Sequence, residues 1–212
     1  MPIEMGGKLA DYLTGLVPPR GEELRVMEKY AEDNKFPIIG PTAGYFCYQI
    51  ARMIHARRIF ELGSGYGYST AWFARAVREN GGGVVYHVVW DDELSRSARV
   101  HMEMLGYGDV VQYRVGEAVE NLRATEDVFD LIFNDIDKHG YPDSLPAITE
   151  KLRSGGVLIV DNAIWGGRVL DEMDHGASVQ AVRKLTSMLT ADQAWITSIV
   201  PIRDGLLVAV KR

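Results

Sequence analysis

Two short acidic segments carry the side chains best suited to chemistry. Phe129-Asp-Leu-Ile-Phe-Asn-Asp135 continues into Ile136-Asp137-Lys138-His139-Gly140-Tyr141, and Gly156-Val-Leu-Ile-Val runs into Asp161-Asn162. In each, an apolar run of the kind that forms a buried parallel strand ends abruptly in oxygen-bearing side chains. Open α/β sheets bind ligands just beyond the carboxyl ends of their strands. Two neighbouring strands therefore bring Asp135, Asp161 and Asn162 around one point, with Lys138 one turn away. Three oxygen donors suit a hard cation such as Mg²⁺, Ca²⁺ or Mn²⁺. Asp161-Asn162 alone reads as a strand end followed by a turn; beside Asp135 and Lys138 it reads as part of a site.

A second cluster lies upstream, at Glu61-Leu-Gly63-Ser64-Gly65-Tyr66-Gly67-Tyr68-Ser69. Its glycines permit a tight turn and close approach of a ligand to the backbone. Ser69 opens a helix whose free amides can hold polar ligand groups. The spacing is Gly-x-Gly-x-Gly, not the Gly-x-Gly-x-x-Gly of dinucleotide sites. The plain alternative is a strand-to-helix turn with no ligand. Glu61 argues for a ligand, because an acid ending a buried strand needs a partner. A ligand ammonium or the loop amides would supply one.

These side chains need a scaffold, and the pattern around them provides one. Residues 1–56 read as a helical cover, broken at Val17-Pro18-Pro19 and around Pro37 and Pro41. The acidic start Gly21-Glu22-Glu23 opens one helix and Pro41-Thr42 another. From Arg57 onward β-like runs at 58–62, 84–90, 110–115, 129–133 and 157–160 alternate with helical stretches near 69–79, 93–105, 117–123 and 142–152. That alternation predicts βαβ units and a parallel sheet with right-handed crossovers. The tail differs: strands at 194–201 and 206–210 flank Arg203-Asp204-Gly205, a hairpin signal. One α/β domain over 1–212, with its cofactor-binding core at 57–212 and an antiparallel C-terminal hairpin, is the expected architecture.

Composition narrows the function. The chain has 212 residues, 47% hydrophobic and 25% charged, enough for a sizeable core. A net charge of −6 argues against nucleic acid as a partner. The lone Cys47 excludes an internal disulfide and a cysteine-rich zinc site, and fits a reducing compartment. No apolar run approaches a membrane span, and the first residues lack the features of a signal peptide. A soluble cytoplasmic protein acting on a small molecule is expected.

Glu-Leu-Gly-x-Gly-x-Gly-Tyr-Ser, then Asp-x-Asp-Lys-x-x-Tyr, then Asp-Asn-x-x-Trp-x-Gly, in that order, resembles the cation-dependent O-methyltransferases of the catechol and caffeoyl-CoA group. The resemblance runs from about Ile38 to the end, including Pro201-Ile-Arg-Asp-Gly205. It implies a Rossmann-like seven-stranded sheet, S-adenosylmethionine as methyl donor, a divalent cation, and a homodimer. It implies that Asp135, Asp161 and Asn162 hold the ion and that Lys138 is the general base. Glu61, Gly63, Ser64 and Ser69 match the loop around the cofactor's methionine end, Ile39 matches a residue that packs near the cofactor, and Asp135 is a further cofactor-binding position. Ala118 matches an adenine contact. Trp165, with Lys138 and Asn162, matches the acceptor pocket.

The chemistry implied is coherent. Methyl transfer from a sulfonium to oxygen is an in-line displacement, and the acceptor oxygen must be close to anionic and aligned about 3 Å from the methyl carbon. A catechol hydroxyl titrates near tyrosine, at about 10. A divalent ion bridging both hydroxyls favours the phenolate, and a lysine can remove its proton.

One departure stands out. The family pattern places an acid at the end of the second strand, where it grips both ribose hydroxyls; this chain has Val89 there. Asp91 either substitutes for it or caps the following helix. Trp90 either stacks on adenine or packs in the core. Loss of the bidentate grip would weaken cofactor binding by about 2 kcal/mol or more, so a degenerate binding protein with weak or altered cofactor affinity is the main rival. A nucleotide-dependent oxidoreductase is a second, disfavoured by the glycine spacing. His139 and His175 read as loop histidines, His87 as a satisfied core residue, and Asp137 as a structural partner.

Overall fold

A computed structural model describes residues 7–212. Three helices come first: α1 (Gly7–Gly15), α2 (Glu22–Asn34) and α3 (Gly40–Met53). Strands and helices then alternate as β1 (Arg58–Leu62), α4 (Tyr68–Glu79), β2 (Val84–Val89), α5 (Asp92–Met104), β3 (Val111–Val115), α6 (Ala118–Ala124), β4 (Phe129–Asn134), α7 (Tyr141–Lys151) and β5 (Leu152–Val160). Helix α8 (Ala177–Ala191) leads into the hairpin β6 (Trp195–Val200) and β7 (Leu206–Lys211). Among the described residues no helix is long and apolar enough to cross a membrane.

The seven strands form one sheet in the order β3-β2-β1-β4-β5-β7-β6. Strands β1 to β5 are parallel and β7 runs antiparallel to both its neighbours. The chain winds outward through β2 and β3, then returns to the other side of β1 for β4 and β5. The crevice between β1 and β4 is the switch point where open sheets of this type bind ligands.

Near-continuous apolar strands follow from burial on both faces. In β4, Leu131 and Phe133 face a cluster built with α2, α3 and α4, while Ile132 faces a second cluster built with α6, α7 and α8. Helix starts are set locally. Asp91 Oδ1 accepts from Leu94 N at 2.8 Å, Glu117 accepts from Val119 N and Glu120 N at 3.0 and 2.6 Å, and prolines occupy the first turns of α3 and α7.

The expected elements are present with two amendments. Strand β5 begins at Leu152, five residues before the apolar run, and the register shifts between Phe129 and Leu131 on its partner. Helix α8 was not expected. It buries Val179, Val182, Leu185 and Leu189, a helical stripe between the Asp161–Gly167 segment and the C-terminal hairpin.

Helix α3 lies directly on α4, and its N-terminal approach, Phe36-Pro37-Ile38-Ile39, borders the ligand crevice. A Cβ placed on Gly44 would sit 2.3 Å from Trp72 Nε1, and Trp72 is almost fully buried. The indole cannot yield into a packed core without strain. Gly44→Ala is expected to lower stability by about 1–3 kcal/mol, read as a reduced urea midpoint with an unchanged slope.

Candidate functional site

Register brings the site together. Leu62 pairs with Asn134 and Asn134 with Val160, so the next residue on each strand, Gly63, Asp135 and Asp161, emerges at the same level. Asp135 N donates to Leu62 O at 2.9 Å and Asp161 N to Asn134 O at 3.1 Å, carrying the ladder one residue further. Gly63 adopts φ +87°, and a Cβ there would lie 2.6 Å from the Asp135 carbonyl oxygen. Only glycine lets the two strand ends lie this close.

Beyond these ends opens a cavity of about 720 Å³, lined by Gly63, Gly65, Val88, Val89, Trp90, Ala118, Asp135, Lys138, Asp161, Asn162, Trp165 and Arg203 among others. A small recess of about 30 Å³ adjoins it, bounded by Ile39, Ser64, Tyr66, Ser69 and Asp135. Phe36, Pro37, Ile38, Gly63 and Gly65 line both.

Lys138 is buried and donates to Asp135 Oδ1 at 2.8 Å and to the Ile136 carbonyl at 3.3 Å. Its ammonium lies 4.9 Å from the Tyr141 ring centre and 5.7 Å from that of Trp165, a cation–π setting. Asp161 is 2% exposed; its Oδ2 accepts from Arg203 at 3.3 Å, its Oδ1 has no partner among the described residues, and Tyr141 fixes its backbone by donating to the Asp161 carbonyl at 2.9 Å. Burial, then the charge of Asp135, pushes the Asp161 carboxyl up to about 7. The Asp135 side chain is 27% exposed to the cavity, yet the protein around it desolvates the carboxyl and raises it, with Lys138 opposing. Two carboxylates that repel each other and lack enough donors are a cation-seeking pair.

Asn162 supplies the third oxygen. Its Nδ2 donates to Asp204 Oδ2 at 2.9 Å, which commits the nitrogen and leaves the amide oxygen for a ligand. Asn162 and Trp165 both hold positive φ, +55° and +51°, which non-glycine residues seldom adopt. Asp204 holds this loop in place: its Oδ1 accepts from Gly166 N at 2.5 Å and its carbonyl from Ile164 N at 2.9 Å. Arg203, Asp204 and Tyr141 were in the sequence motifs without a role; their contacts come from residues distant in the chain. Among the described residues no three His, Cys, Asp or Glu side chains cluster as metal ligands; the oxygen donors bordering the cavity here are two carboxylates and a carboxamide.

The other expected residues divide. Ala118 and Trp90 line the large cavity. Trp90 is 81% exposed, so the core-packing alternative is set aside. Val89 ends β2 and faces the cavity, and Asp91 is engaged as the helix cap. Glu61 is fully buried beneath the glycine turn and lines neither cavity; Thr70 Oγ1 donates to its Oε2 at 2.5 Å and its Oε1 has no partner among the described residues. Ser64 Oγ accepts from Val88 N at 2.9 Å, tying the turn to β2. His139 and His175 are solvent-facing loop residues, and Asp137 caps the turn that carries Lys138.

The O-methyltransferase family model matches residues 21–212. The chain belongs to the O-methyltransferase family. A catechol O-methyltransferase of Niastella koreensis is 33% identical over 181 residues, covering 81% of each protein. An O-methyltransferase of Bacillus cereus, solved with SAH, superimposes with a TM-score of 0.87 at 26% identity, covering 97% of both chains. TomG of Streptomyces achromogenes, an O-methyltransferase solved with SAM, gives a TM-score of 0.87 at 27% identity over 100% of this chain and 99% of that one. This O-methyltransferase is therefore a Rossmann-like transferase and not a nicotinamide oxidoreductase.

Burial raises the Glu61 carboxyl from 4.5 to about 7, with the Thr70 hydroxyl opposing. Its folded pKa lies above its unfolded one, so between these values the folded state binds the extra proton. Stability conferred at low pH is lost as pH rises from about 4.5 to about 7 and is flat above. The full span is on the order of 3 kcal/mol. In the ligand-free protein, Glu61→Gln is expected to flatten the fall in melting temperature across that window; an unchanged profile would assign the slope elsewhere.

Proposed function

We propose that this O-methyltransferase moves the methyl group of S-adenosylmethionine onto a hydroxyl of a small ortho-dihydroxy aromatic acceptor, assisted by a divalent cation such as Mg²⁺, Ca²⁺ or Mn²⁺. The observation that carries the reading is the convergence of Asp135, Asp161 and Asn162 beside Lys138, directly over the Gly63 turn. The catechol O-methyltransferase of Niastella koreensis and the adenosyl ligands of the two solved relatives support it.

The residues present suit a hard cation. Asp161 Oδ1 is buried without a donor, Asp135 offers the facing carboxylate, and Asn162 has only its amide oxygen left to give. Arg203 on Asp161 and Lys138 on Asp135 neutralise the pair when no ion is held. A bound divalent ion would supply Lewis acidity and a template for two adjacent acceptor oxygens. Lys138 is the residue placed to take the hydroxyl proton once its ammonium has given one up to solvent, with the Tyr141 and Trp165 rings beside its nitrogen. Trp165 borders the acceptor. Ile39, Gly63, Ser64 and Ser69 border the recess that takes the methionine end of the donor, Glu61 lies buried beneath the same turn with its Oε1 left for the donor's ammonium, and Trp90 and Ala118 border its adenine. A dry site favours the reaction, because a sulfonium and an oxyanion neutralise each other as the methyl group moves.

Two substitutions test this reading. Asp161→Ala should lower cation-dependent turnover by about 10²-fold or more while leaving the melting temperature near that of the parent; normal turnover on catechol acceptors would sink the cation assignment. Val89→Glu restores an acid at the strand end that faces the cavity. It should tighten SAH binding by about tenfold or more in calorimetry, and unchanged affinity would place the ribose elsewhere.

A further inference from the structure

His87 sits in the middle of β2 with no solvent exposure. Register places it between Glu61 on β1 and Tyr113 on β3, and in-register parallel neighbours share a face. Three polar side chains thus form a row across three strands, under the first turn of α4. Thr70 of that turn, also fully buried, joins them: its Oγ1 lies 2.5 Å from Glu61 Oε2 and 3.1 Å from His87 Nδ1.

A hydroxyl has one hydrogen. If Thr70 donates to an ionised Glu61, Thr70 must accept from His87, which fixes the Nδ1–H tautomer and leaves Nε2 an acceptor. If Glu61 is protonated, the order reverses: Glu61 donates to Thr70, Thr70 donates to Nδ1, and the ring hydrogen sits on Nε2. One proton entering at Nε2 and one leaving Nδ1 for Thr70, whose own hydrogen passes to Glu61, converts the first arrangement into the second with all atoms conserved. Among the described residues His87 Nε2 and the Tyr113 hydroxyl have no partners, and their rings are 5.4 Å apart. Burial depresses the His87 pKa to about 3, so the ring is neutral and its choice of tautomer is the only variable.

We propose that His87 is a positioning residue for donor binding: by donating from Nδ1 it aims the Thr70 hydrogen at Glu61 and holds that carboxylate charged and oriented for the ammonium of the adenosyl ligand. This rests on the assignment of Glu61 to the methionine end. An apolar side chain would fill the same space at lower desolvation cost; what the imidazole adds is one directed donor.

The test uses the full chain and SAH. With ¹⁵N-labelled histidine, two-bond ¹H–¹⁵N correlations distinguish the tautomers, and His87 should carry Nδ1–H in the SAH complex. His87→Leu should weaken SAH binding and raise KM for S-adenosylmethionine by about tenfold, with kcat at saturating donor within about twofold. His87→Asn, which returns an N–H donor, should recover most of the affinity. An Nε2–H tautomer in the complex, unchanged affinity in His87→Leu, or no recovery in His87→Asn overturns the proposal. The tautomer decides the matter if His87→Leu does not fold. A parent protein that binds no SAH overturns the functional reading itself, and that result is separately visible before any variant is made.

Discussion

Everything chemical in this molecule depends on the in-register packing of β1, β4 and β5. Parallel strands that start level also end level, so Gly63, Asp135 and Asp161 leave the sheet side by side. Because the strands are buried on both faces, the ends open into a desolvated crevice where carboxylates are costly unless matched by positive charge. The fold thus creates an electrostatic demand before any ligand arrives. Lys138 and Arg203 meet part of it, and the unpartnered Asp161 Oδ1 shows the part left over.

The same economy governs the second ring of contacts. Asp204 engages the Asn162 amide, the Gly166 amide and, through its backbone, Ile164. Tyr141 opens α7, closes over Lys138 and fixes the Asp161 backbone. Each is a residue whose side chain serves one loop while its own element serves the core. Strain at Asn162 and Trp165, with backbone angles that cost on the order of 1–2 kcal/mol each for ordinary residues, is tolerable because several contacts determine the loop at once.

How much of this was legible in the sequence depended on range. Strand ends bearing Asp135, Asp161 and Asn162 were readable, since an apolar run stopping at an acid is a local signal. The Asp91 cap and the C-terminal hairpin were readable for the same reason. Trp90 was ambiguous, because a tryptophan after a strand signals neither exposure nor burial; only the bend of the chain out of β2 exposes it. The long stretch before β6 hid α8, whose stripe carries no motif. Contacts such as Arg203 to Asp161 or His87 to Thr70 join residues far apart in the chain, and composition does not encode which distant partners meet.

The C-terminal hairpin has a bearing on how the protein is made. Strand β7 lies against β5, and the turn before it delivers Arg203 and Asp204 to a site otherwise assembled from residues up to Trp165. In a chain made from its N-terminus, the strands that lead to Gly63, Asp135 and Asp161 all precede the hairpin in sequence. The site is therefore complete only once this hairpin has docked, because without it the acidic cluster has neither its Arg203 counter-charge nor the Asp204 clamp.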